Sequence, residues 1–373
     1  MIKSIYYMDE LKKKLIDILL THKIIQEELE LARYEADDLL ILGKDKLNDN
    51  EKNILIDYFL TKNDKDLAIK LLDKLSGKTI KIENKQWLKI FKKSDLNSQS
   101  YFNNDVLMAS ILYFFTDKAC QFDQKIWKYL IKNSNLKNKN KTNNNALMML
   151  INAGNILQDL KLAKSDWELL IKNSDLKLIN NFNSTALIFA VKYLSNQLNN
   201  ESWQYLLENS DLNVFDKTNA NALIYALSKP DSFDYLDYLI EHTNLSGHSC
   251  DRILKAAIVN EVKLSKAQWD KLIEETPLTH ISSWSEVSLA YVMMKIKNSI
   301  GLDQEQELKL LRKDNIIVYD SLEKNWGINK EYQRYYKVAK RNEEHLATLQ
   351  SFLDEINIRN TLIDNKTKIK NKI

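Results

Sequence analysis

Glycine and proline are scarce in this sequence, with six glycines and two prolines among 373 residues. Sandwiches, barrels and doubly wound sheets need turn residues at many corners. The scarcity therefore argues against those folds and favours an all-α protein. Hydrophobic residues make up 44% of the chain and charged residues 28%, so the chain can bury a core and does not have the composition of a disordered protein.

Cysteine, net charge and long apolar runs are also in short supply. Cys120 and Cys250 are far apart, which argues against a disulfide framework and favours a reducing compartment. The net charge is only +3, which gives no composition signal for nucleic acid or a membrane surface. The N-terminus has no Sec-type apolar region, and no stretch approaches about 18 apolar residues. These absences predict a cytoplasmic protein without a membrane partner.

The sequence motifs of catalysis and cofactor binding are missing as well. There is no G-x-S-x-G, no G-x-G-x-x-G and no G-x-x-x-x-G-K-[ST], and no local cysteine–histidine signature. His242, His248 and Cys250 form the one metal-like group, but their spacing does not match a zinc site. We therefore expect no catalytic residue, no cofactor and no metal, and a protein that is not an enzyme.

A repeated frame is the main positive feature of the sequence. In five copies a tryptophan is followed by a leucine nine residues later and by a second leucine twenty residues after the same tryptophan. A sixth copy has leucine in place of tryptophan, and the successive spacings are 40, 40, 36, 33 and 33 residues. The difference in spacing arises between the second leucine and the next copy, which predicts an exposed connector that tolerates insertions. The frame positions, which we expect to be interior, are Trp87, Trp127, Trp167, Trp203, Leu236 and Trp269.

Each half of the repeat has the pattern of a helix. In "SDWELLIKNS" the apolar residues Trp167, Leu170 and Ile171 are spaced i, i+3 and i+4. "NSTALIFAVKYL" continues the same spacing over two turns. One such pair cannot bury its own apolar face, but six stacked pairs can. The sequence therefore predicts a helix-pair repeat solenoid.

Polar residues mark the helix starts and the loops between them. Asn145, Ser184 and Asn221 stand just before the second helix as N-cap candidates. Two pairs have the spacing of a capping box: Ser165 with Glu168, and Ser265 with Gln268. The loops are polar, as in "NVFDKTNA", and asparagine or aspartate can adopt the positive φ that glycine usually provides.

The order "NANALIYAL … YLDYLIEHTNL" resembles a degenerate ankyrin repeat. Ala-Leu-Ile-x-Ala corresponds to the opening of the first ankyrin helix and Leu-Ile to the leucine pair of the second. The 33-residue spacings match the ankyrin period. The Thr-Pro-Leu-His opening is absent, and serine replaces the glycine after the second helix. The resemblance implies an ankyrin-like solenoid that binds another protein.

The repeat frame divides the chain into three predicted regions. Residues 1–84 form an N-terminal helical cap, 85–299 hold six degenerate ankyrin-like repeats, and 300–373 form a C-terminal helical region with a basic tail. Within the cap we predict helices over 9–21, 25–42, 49–60 and 64–75. Within the C-terminal region we predict a long helix over 330–356.

The loop tips and first helices of the repeats are the predicted binding face. We expect a monomer that binds a partner protein there, as an interaction scaffold. The abundant lysine, asparagine and isoleucine of the chain are typical of an AT-rich bacterial genome. The resemblance to repeat proteins of intracellular bacteria implies an effector that acts on host proteins after secretion into a host cell by a route independent of a signal peptide. The predicted partner-binding residues are Asn143, Lys177, Phe182, Phe215, Lys217 and Asn219.

Two other functions stay open at this point. An unrecognised active site in either flank would make the protein an enzyme that the repeats direct to its target. The basic, aromatic stretch at 332–341 could instead contact RNA by stacking and charge. We consider nucleic acid the weaker alternative because the overall charge is close to neutral.

Overall fold

In a computed structural model of the chain, residues 2–78, 80–116, 122–152, 162–194, 198–229, 234–246, 251–276, 300–303, 306 and 309 are described. These residues form fifteen α-helices and one 3-10 helix, without any strand. The prediction of an all-α fold is confirmed for them. The chain divides into two compact units, Met1–Ala222 and Leu223–Ile373. This division falls inside the predicted repeat region.

The helix bounds follow the repeat frame closely from residue 84 onward. In chain order the helices are α1 (Ile2–Thr21), the 3-10 helix η1 (Glu28–Arg33), α2 (Ala36–Leu42), α3 (Asp49–Thr61), α4 (Leu67–Leu75), α5 (Asn84–Lys93), α6 (Val106–Thr116), α7 (Gln124–Asn133), α8 (Ala146–Asn152), α9 (Lys164–Asn173), α10 (Ala186–Tyr193), α11 (Asn200–Asn209), α12 (Ala222–Leu227), α13 (Leu236–His242), α14 (Asp251–Val259) and α15 (Lys266–Glu275).

The helices of the unit Met1–Ala222 pack in two series. Helices α3, α5, α7, α9 and α11 form one series, the odd row, in which each helix contacts the next. Helices α4, α6, α8 and α10 form the even row and contact one another in the same way. Contacts of α4 with α5 and of α6 with α7 join the rows. From α3 to α10 an even-row helix follows each odd-row helix along the chain.

The two rows differ in how much of each helix is apolar. The even-row sequences "VLMASILYFFT" of α6 and "ALIFAVKY" of α10 are apolar around most of the helix and are largely buried. An odd-row helix has one apolar stripe, which in α7 consists of Ile126, Trp127, Leu130 and Ile131. The even row therefore lies in the core, and the odd row keeps one face toward solvent.

The frame positions of the repeat all lie in the interior. None of their side chains is more than 9% exposed. The ring of Phe122 lies 5.6 Å from that of Trp87 and 5.6 Å from that of Trp127, so it contacts tryptophans of two successive odd-row helices. The buried frame residues are Trp87, Trp127, Trp167, Trp203, Leu236 and Trp269.

The N-terminal region contains the clearest difference between prediction and structure. In place of one helix over 25–42, η1 and α2 are separated by extended backbone at Glu35. The Glu30 carboxylate accepts a hydrogen bond from the Gln26 N–H (2.7 Å), and the Asp38 carboxylate accepts one from the Glu35 N–H (3.4 Å). Each acid thus bonds a backbone donor near the start of a separate short helix. The prediction of a single helix is wrong.

The other N-terminal helices agree better with the sequence pattern. α3 matches the predicted segment 49–60. α4 ends at Leu75 as predicted but begins at Leu67, three residues later than expected, and α1 ends at Thr21 as expected but begins earlier. α3 contacts α5, and α4 contacts α6. Both rows therefore begin inside the segment 1–84 that the sequence indicated as a cap.

Two of the predicted N-caps are present in the structure. The Asn145 side-chain oxygen accepts a hydrogen bond from the Met148 N–H at 2.9 Å. Ser265 and Gln268 form the predicted capping box at the start of α15. Both arrangements satisfy backbone donors that a helix start would leave open. The capping box predicted at Ser165 and Glu168 is wrong, because α9 begins at Lys164 and its N-cap is Ala163.

The predicted cap at Ser184 is wrong by one residue. Thr185 is the N-cap of α10, and its side chain accepts a hydrogen bond from the Ile188 N–H at 3.3 Å. Ser184 belongs to the preceding turn, because its carbonyl accepts from the Asn180 N–H at 3.1 Å. The turn thus ends one residue later than the sequence indicated.

In the unit Leu223–Ile373, α15 contacts both α13 and α14. The buried Gln306 side chain donates to the Lys266 carbonyl (3.0 Å) and to the Asp270 carboxylate (2.9 Å). The helix predicted over 330–356 and the basic tail lie outside the described residues.

Candidate functional site

Four loops of equal length follow successive odd-row helices. Each has twelve residues: loop 1 (94–105), loop 2 (134–145), loop 3 (174–185) and loop 4 (210–221). They lie inside the constant part of the repeat frame. Equal length at four places indicates that the loop backbone is a built feature and not a variable connector.

Each loop is closed by one side chain, here named the turn acceptor. Its oxygen accepts hydrogen bonds from the N–H groups two and four residues later. The distances are 3.2 and 3.2 Å in loop 1, 3.1 and 3.0 Å in loop 2, 2.9 and 2.9 Å in loop 3, and 2.8 and 3.1 Å in loop 4. The turn acceptors are Ser100, Asn140, Asn180 and Asp216.

An asparagine with left-handed backbone follows three residues after each turn acceptor. Its φ lies between 55° and 63° in all four loops. Asparagine tolerates this region better than other residues with a side chain, which explains how the loops form without glycine. The expectation of positive φ in these loops is met. The four residues are Asn103, Asn143, Asn183 and Asn219.

Backbone hydrogen bonds join each loop to the next. In each case the N–H one residue after a turn acceptor donates to the carbonyl two residues after the preceding turn acceptor. The bonds are Lys141 to Phe102 (3.0 Å), Asn181 to Thr142 (3.0 Å) and Lys217 to Phe182 (3.1 Å).

Asparagine side chains form a second connection beneath these bonds. Asn140 Nδ2 donates to Asn104 Oδ1 at 3.0 Å, and Asn180 Nδ2 donates to Asn144 Oδ1 at 2.8 Å. Asn104 and Asn180 are buried. Two layers of hydrogen bonds therefore fix the spacing of loops 1, 2 and 3.

The first and second residues after each turn acceptor make up a surface that we name the tip row. Aromatic and cationic side chains alternate along it from loop to loop. Tyr101 is 78% exposed, Phe102 61% and Phe182 54%. The ammonium group of Lys141 lies 3.7 Å from the Tyr101 ring centre, and that of Lys217 lies 5.3 Å from the Phe182 ring centre. The tip row consists of Tyr101, Phe102, Lys141, Thr142, Asn181, Phe182, Lys217 and Thr218.

The structure places the six predicted binding residues in loops 2 to 4. Phe182 and Lys217 contact one another in the tip row. Lys177 and Asn219 are exposed outside it, and Phe215 is half-buried beside a turn acceptor. Asn143 is also half-buried, and its side chain donates to the Ile179 carbonyl at 2.9 Å. Asn143 and Asn219 are the left-handed residues of their loops, so they shape the backbone.

Sequence reasoning missed Tyr101, Phe102 and Lys141. They occupy the first and second positions after the turn acceptors Ser100 and Asn140. Aligning the four loops on the asparagines three residues after each acceptor would have found them. The likeness of loop 1 to the other loops is hard to see in the sequence, because its turn acceptor is a serine and it contains no lysine.

Asp105, the residue that precedes α6, is a buried carboxylate in this group of loops. It accepts hydrogen bonds from the Met108 N–H (2.9 Å) and from Asn138 Nδ2 (3.0 Å). Burial is the largest influence on its pKa and raises it, while these hydrogen bonds oppose the shift. Loop 2 has the neutral Asn145 at this place, capping α8 in the same way.

Asp105 should make the free energy of unfolding decrease as the pH rises, and Asp105→Asn should remove this dependence. The unfolded carboxyl group ionises near pH 4, whereas the folded one keeps its proton to a higher pH. Between the two pKa values the folded state binds more protons, so rising pH lowers the free energy of unfolding. We expect wild-type stability, relative to Asp105→Asn, to fall as the pH rises from about 4. Urea denaturation across this range measures it, and a pH-independent difference would contradict the assignment.

Other chemistry in the described chain is sparse. His242 stacks on Tyr238 at 4.0 Å, and its ring nitrogen lies 2.9 Å from the Tyr238 carbonyl; His248 and Cys250 are outside the described residues. No group of three or more potential metal ligands occurs among the described positions. A groove of about 280 Å³ between α7 and α9 has lysines as the charged groups in its described lining.

No described helix is long and apolar enough to cross a membrane. No protein-family model matches the chain, and no curated protein matches its sequence. The four bonded loops and the side chains that they present are therefore the basis for assigning a function.

Proposed function

We propose that the chain is an ankyrin-like helix-pair repeat protein that binds another protein through the tip row. The fold part of the proposal is supported by the two rows of helices and by the period of 33 to 40 residues. The ankyrin assignment is further supported by the Ala-Leu helix openings that the sequence repeats. A stack of helix pairs leaves its loops along one edge, where they can contact a partner together.

The single observation that carries the binding proposal is the exposure of Tyr101, Phe102 and Phe182 on a bonded backbone. Exposed aromatic residues are enriched at protein interfaces because they bury a large area at a low cost in conformational entropy. The bonds between loops hold these rings in place before binding, which further lowers that cost.

A pulldown with matched variants tests the proposal. The intact chain is compared with the triple variant Tyr101→Ser, Phe102→Ser, Phe182→Ser and with the control Leu29→Ser, Leu112→Ser, Val259→Ser. The control residues are also exposed apolar side chains, but Leu29 lies on η1, Leu112 on α6 and Val259 on α14.

We expect the control to recover the same proteins as the intact chain, and the tip-row variant to recover them at least about tenfold less. Loss of two or three aromatic anchors at about 1–2 kcal/mol each would produce a change of that size. Circular dichroism would verify that all three proteins are folded. Equal recovery by all three proteins would show that the tip row is not the binding surface.

A further inference from the structure

The fourth to tenth residues of each loop contain exposed positive charge without exposed negative charge, whereas the second residue of loops 1, 3 and 4 is an exposed aspartate (Asp95, Asp175 and Asp211). The segments 97–103, 137–143, 177–183 and 213–219 together hold five lysines and one aspartate. The aspartate is the turn acceptor Asp216, which is buried. All five lysines are exposed: Lys137, Lys139, Lys141, Lys177 and Lys217. These segments therefore carry a net charge of +4, although the four complete loops hold five lysines and five aspartates.

Ion pairs engage some of the other lysines in the same unit. On α4 and α5, lysine ammonium groups pair with carboxylates at 2.8–2.9 Å, as in Lys70–Asp64, Lys74–Asp37 and Lys89–Asp57. None of the five loop lysines forms an ion pair with a described residue. No salt bridge within the described part of the chain therefore engages these five ammonium groups.

The aromatic contacts hold two of these charges at defined places. Lys141 lies over Tyr101 and Lys217 lies over Phe182, so each ammonium group is positioned beside an exposed apolar ring. Each lysine–aromatic pair can therefore contact a ligand that carries a carboxylate next to an apolar side chain. A nucleic-acid base fits less well, because the lysine already covers a ring face on which a base would stack.

The spacing of the two pairs matches an extended polypeptide. Successive loops follow helices that pack roughly 8–10 Å apart, and Lys141 and Lys217 are two loops apart. Their separation is therefore about 16–20 Å. An extended chain advances about 3.3 Å per residue and covers this distance in five or six residues.

We propose that the tip row binds an extended acidic segment of the partner protein, with two carboxylates about six residues apart and an apolar residue between them. The proposal rests on the partner-binding function above. The carboxylates pair with Lys141 and Lys217, and the apolar side chain contacts Phe182. Lys137, Lys139 and Lys177 add attraction at longer range.

Fluorescence polarisation with the full chain tests this inference. The probe is a labelled glycine–serine peptide with two glutamates six positions apart and a leucine midway; in a second peptide lysines replace the glutamates. The test variant is Lys141→Glu, Lys217→Glu. The control is Lys92→Glu, Lys172→Glu, which makes the same charge change at exposed positions on α5 and α9.

We expect the acidic peptide to bind the wild type and the control, and to bind the test variant at least about tenfold more weakly. Its affinity should fall as salt is raised from about 0.05 to 0.5 M, because the charges are exposed. The lysine peptide should not bind. Failure of the acidic peptide to bind, or equal binding of the lysine peptide, would overturn the inference. Stronger binding of single-stranded poly(U), dependent on the same two lysines, would also overturn it.

The same lysine variants in the pulldown separate this inference from the proposed function. If partners depend on Tyr101, Phe102 and Phe182 but not on Lys141 and Lys217, the tip row binds a partner that is not acidic. If recovery is insensitive to the aromatic residues as well, the binding function itself is wrong.

Discussion

Trp127→Ala is expected to lower the free energy of unfolding by about 3–5 kcal/mol, the usual range for removing a buried tryptophan. The indole is only 2% exposed, and its ring lies 5.7 Å from that of Phe114 and 5.6 Å from that of Phe122. Alanine would leave a cavity where α7 contacts α6. Urea denaturation followed by circular dichroism measures the loss, and the variants Trp167→Ala and Trp203→Ala should fall in the same range because both residues are equally interior.

Two further variants make this expectation specific. Leu29→Ala, at a side chain that is 78% exposed, should change the free energy of unfolding by less than about 0.5 kcal/mol. Trp127→Phe should cost less than Trp127→Ala, because it keeps an aromatic ring and removes an indole N–H that has no acceptor among the described residues. A Trp127→Ala variant as stable as Leu29→Ala would show that the frame tryptophans do not hold the helix pairs together.

The effects of Trp87 and Trp127 should not add independently. Both rings contact Phe122, and Trp87 also stacks on Phe91 at 5.3 Å. Once Trp127 is removed, Phe122 can move into the cavity and its contact with Trp87 changes. Residues that share a partner in this way usually show a coupling energy in double variants. The aromatic cluster therefore joins two successive repeats energetically as well as sterically.

The helices of the repeats could be predicted from sequence because their signal is local. Trp167, Leu170 and Ile171 form a stripe whose members lie at most four positions apart in the sequence, and all three are buried in α9 as that stripe requires. The break inside 25–42 could not be predicted in the same way. It depends on carboxylates of Glu30 and Asp38 that accept backbone hydrogen bonds, which compete with a continuous helix and leave the apolar spacing unchanged.

The candidate site was predictable in part for a related reason. Phe182 and Lys217 stood out as an aromatic and a charged residue in a polar loop, and the structure brings them together. The contact between Tyr101 and Lys141 depends on the register between loops 1 and 2. That register is set by a backbone bond between residues 39 positions apart, from Lys141 to Phe102. A pattern within one loop carries no information about it.

Asn180→Ala is expected to lower the free energy of unfolding by about 2–4 kcal/mol, because it leaves buried polar groups without partners. Asn180 Oδ1 accepts from the N–H groups of Phe182 and Ser184, both at 2.9 Å, and Nδ2 donates to Asn144 at 2.8 Å. Asn180→Asp should cost less. The turn acceptor of loop 4, Asp216, shows that a carboxylate can make the two backbone contacts.

Asn180→Ala should also reduce local order in the tip row, in addition to lowering the free energy of unfolding. Without the turn acceptor, the Phe182 carbonyl is no longer held toward the Lys217 N–H, so hydrogen exchange of the Lys217 amide should accelerate more than exchange in α9. Asn181→Ala provides the matched control, since its exposed side chain makes one hydrogen bond of 3.2 Å, to the Lys141 carbonyl. It should cost less than about 1 kcal/mol. If Asn180→Ala and Asn181→Ala proved equally stable and equally protected at Lys217, the turn acceptors would not be what orders the tip row that we propose as the binding surface.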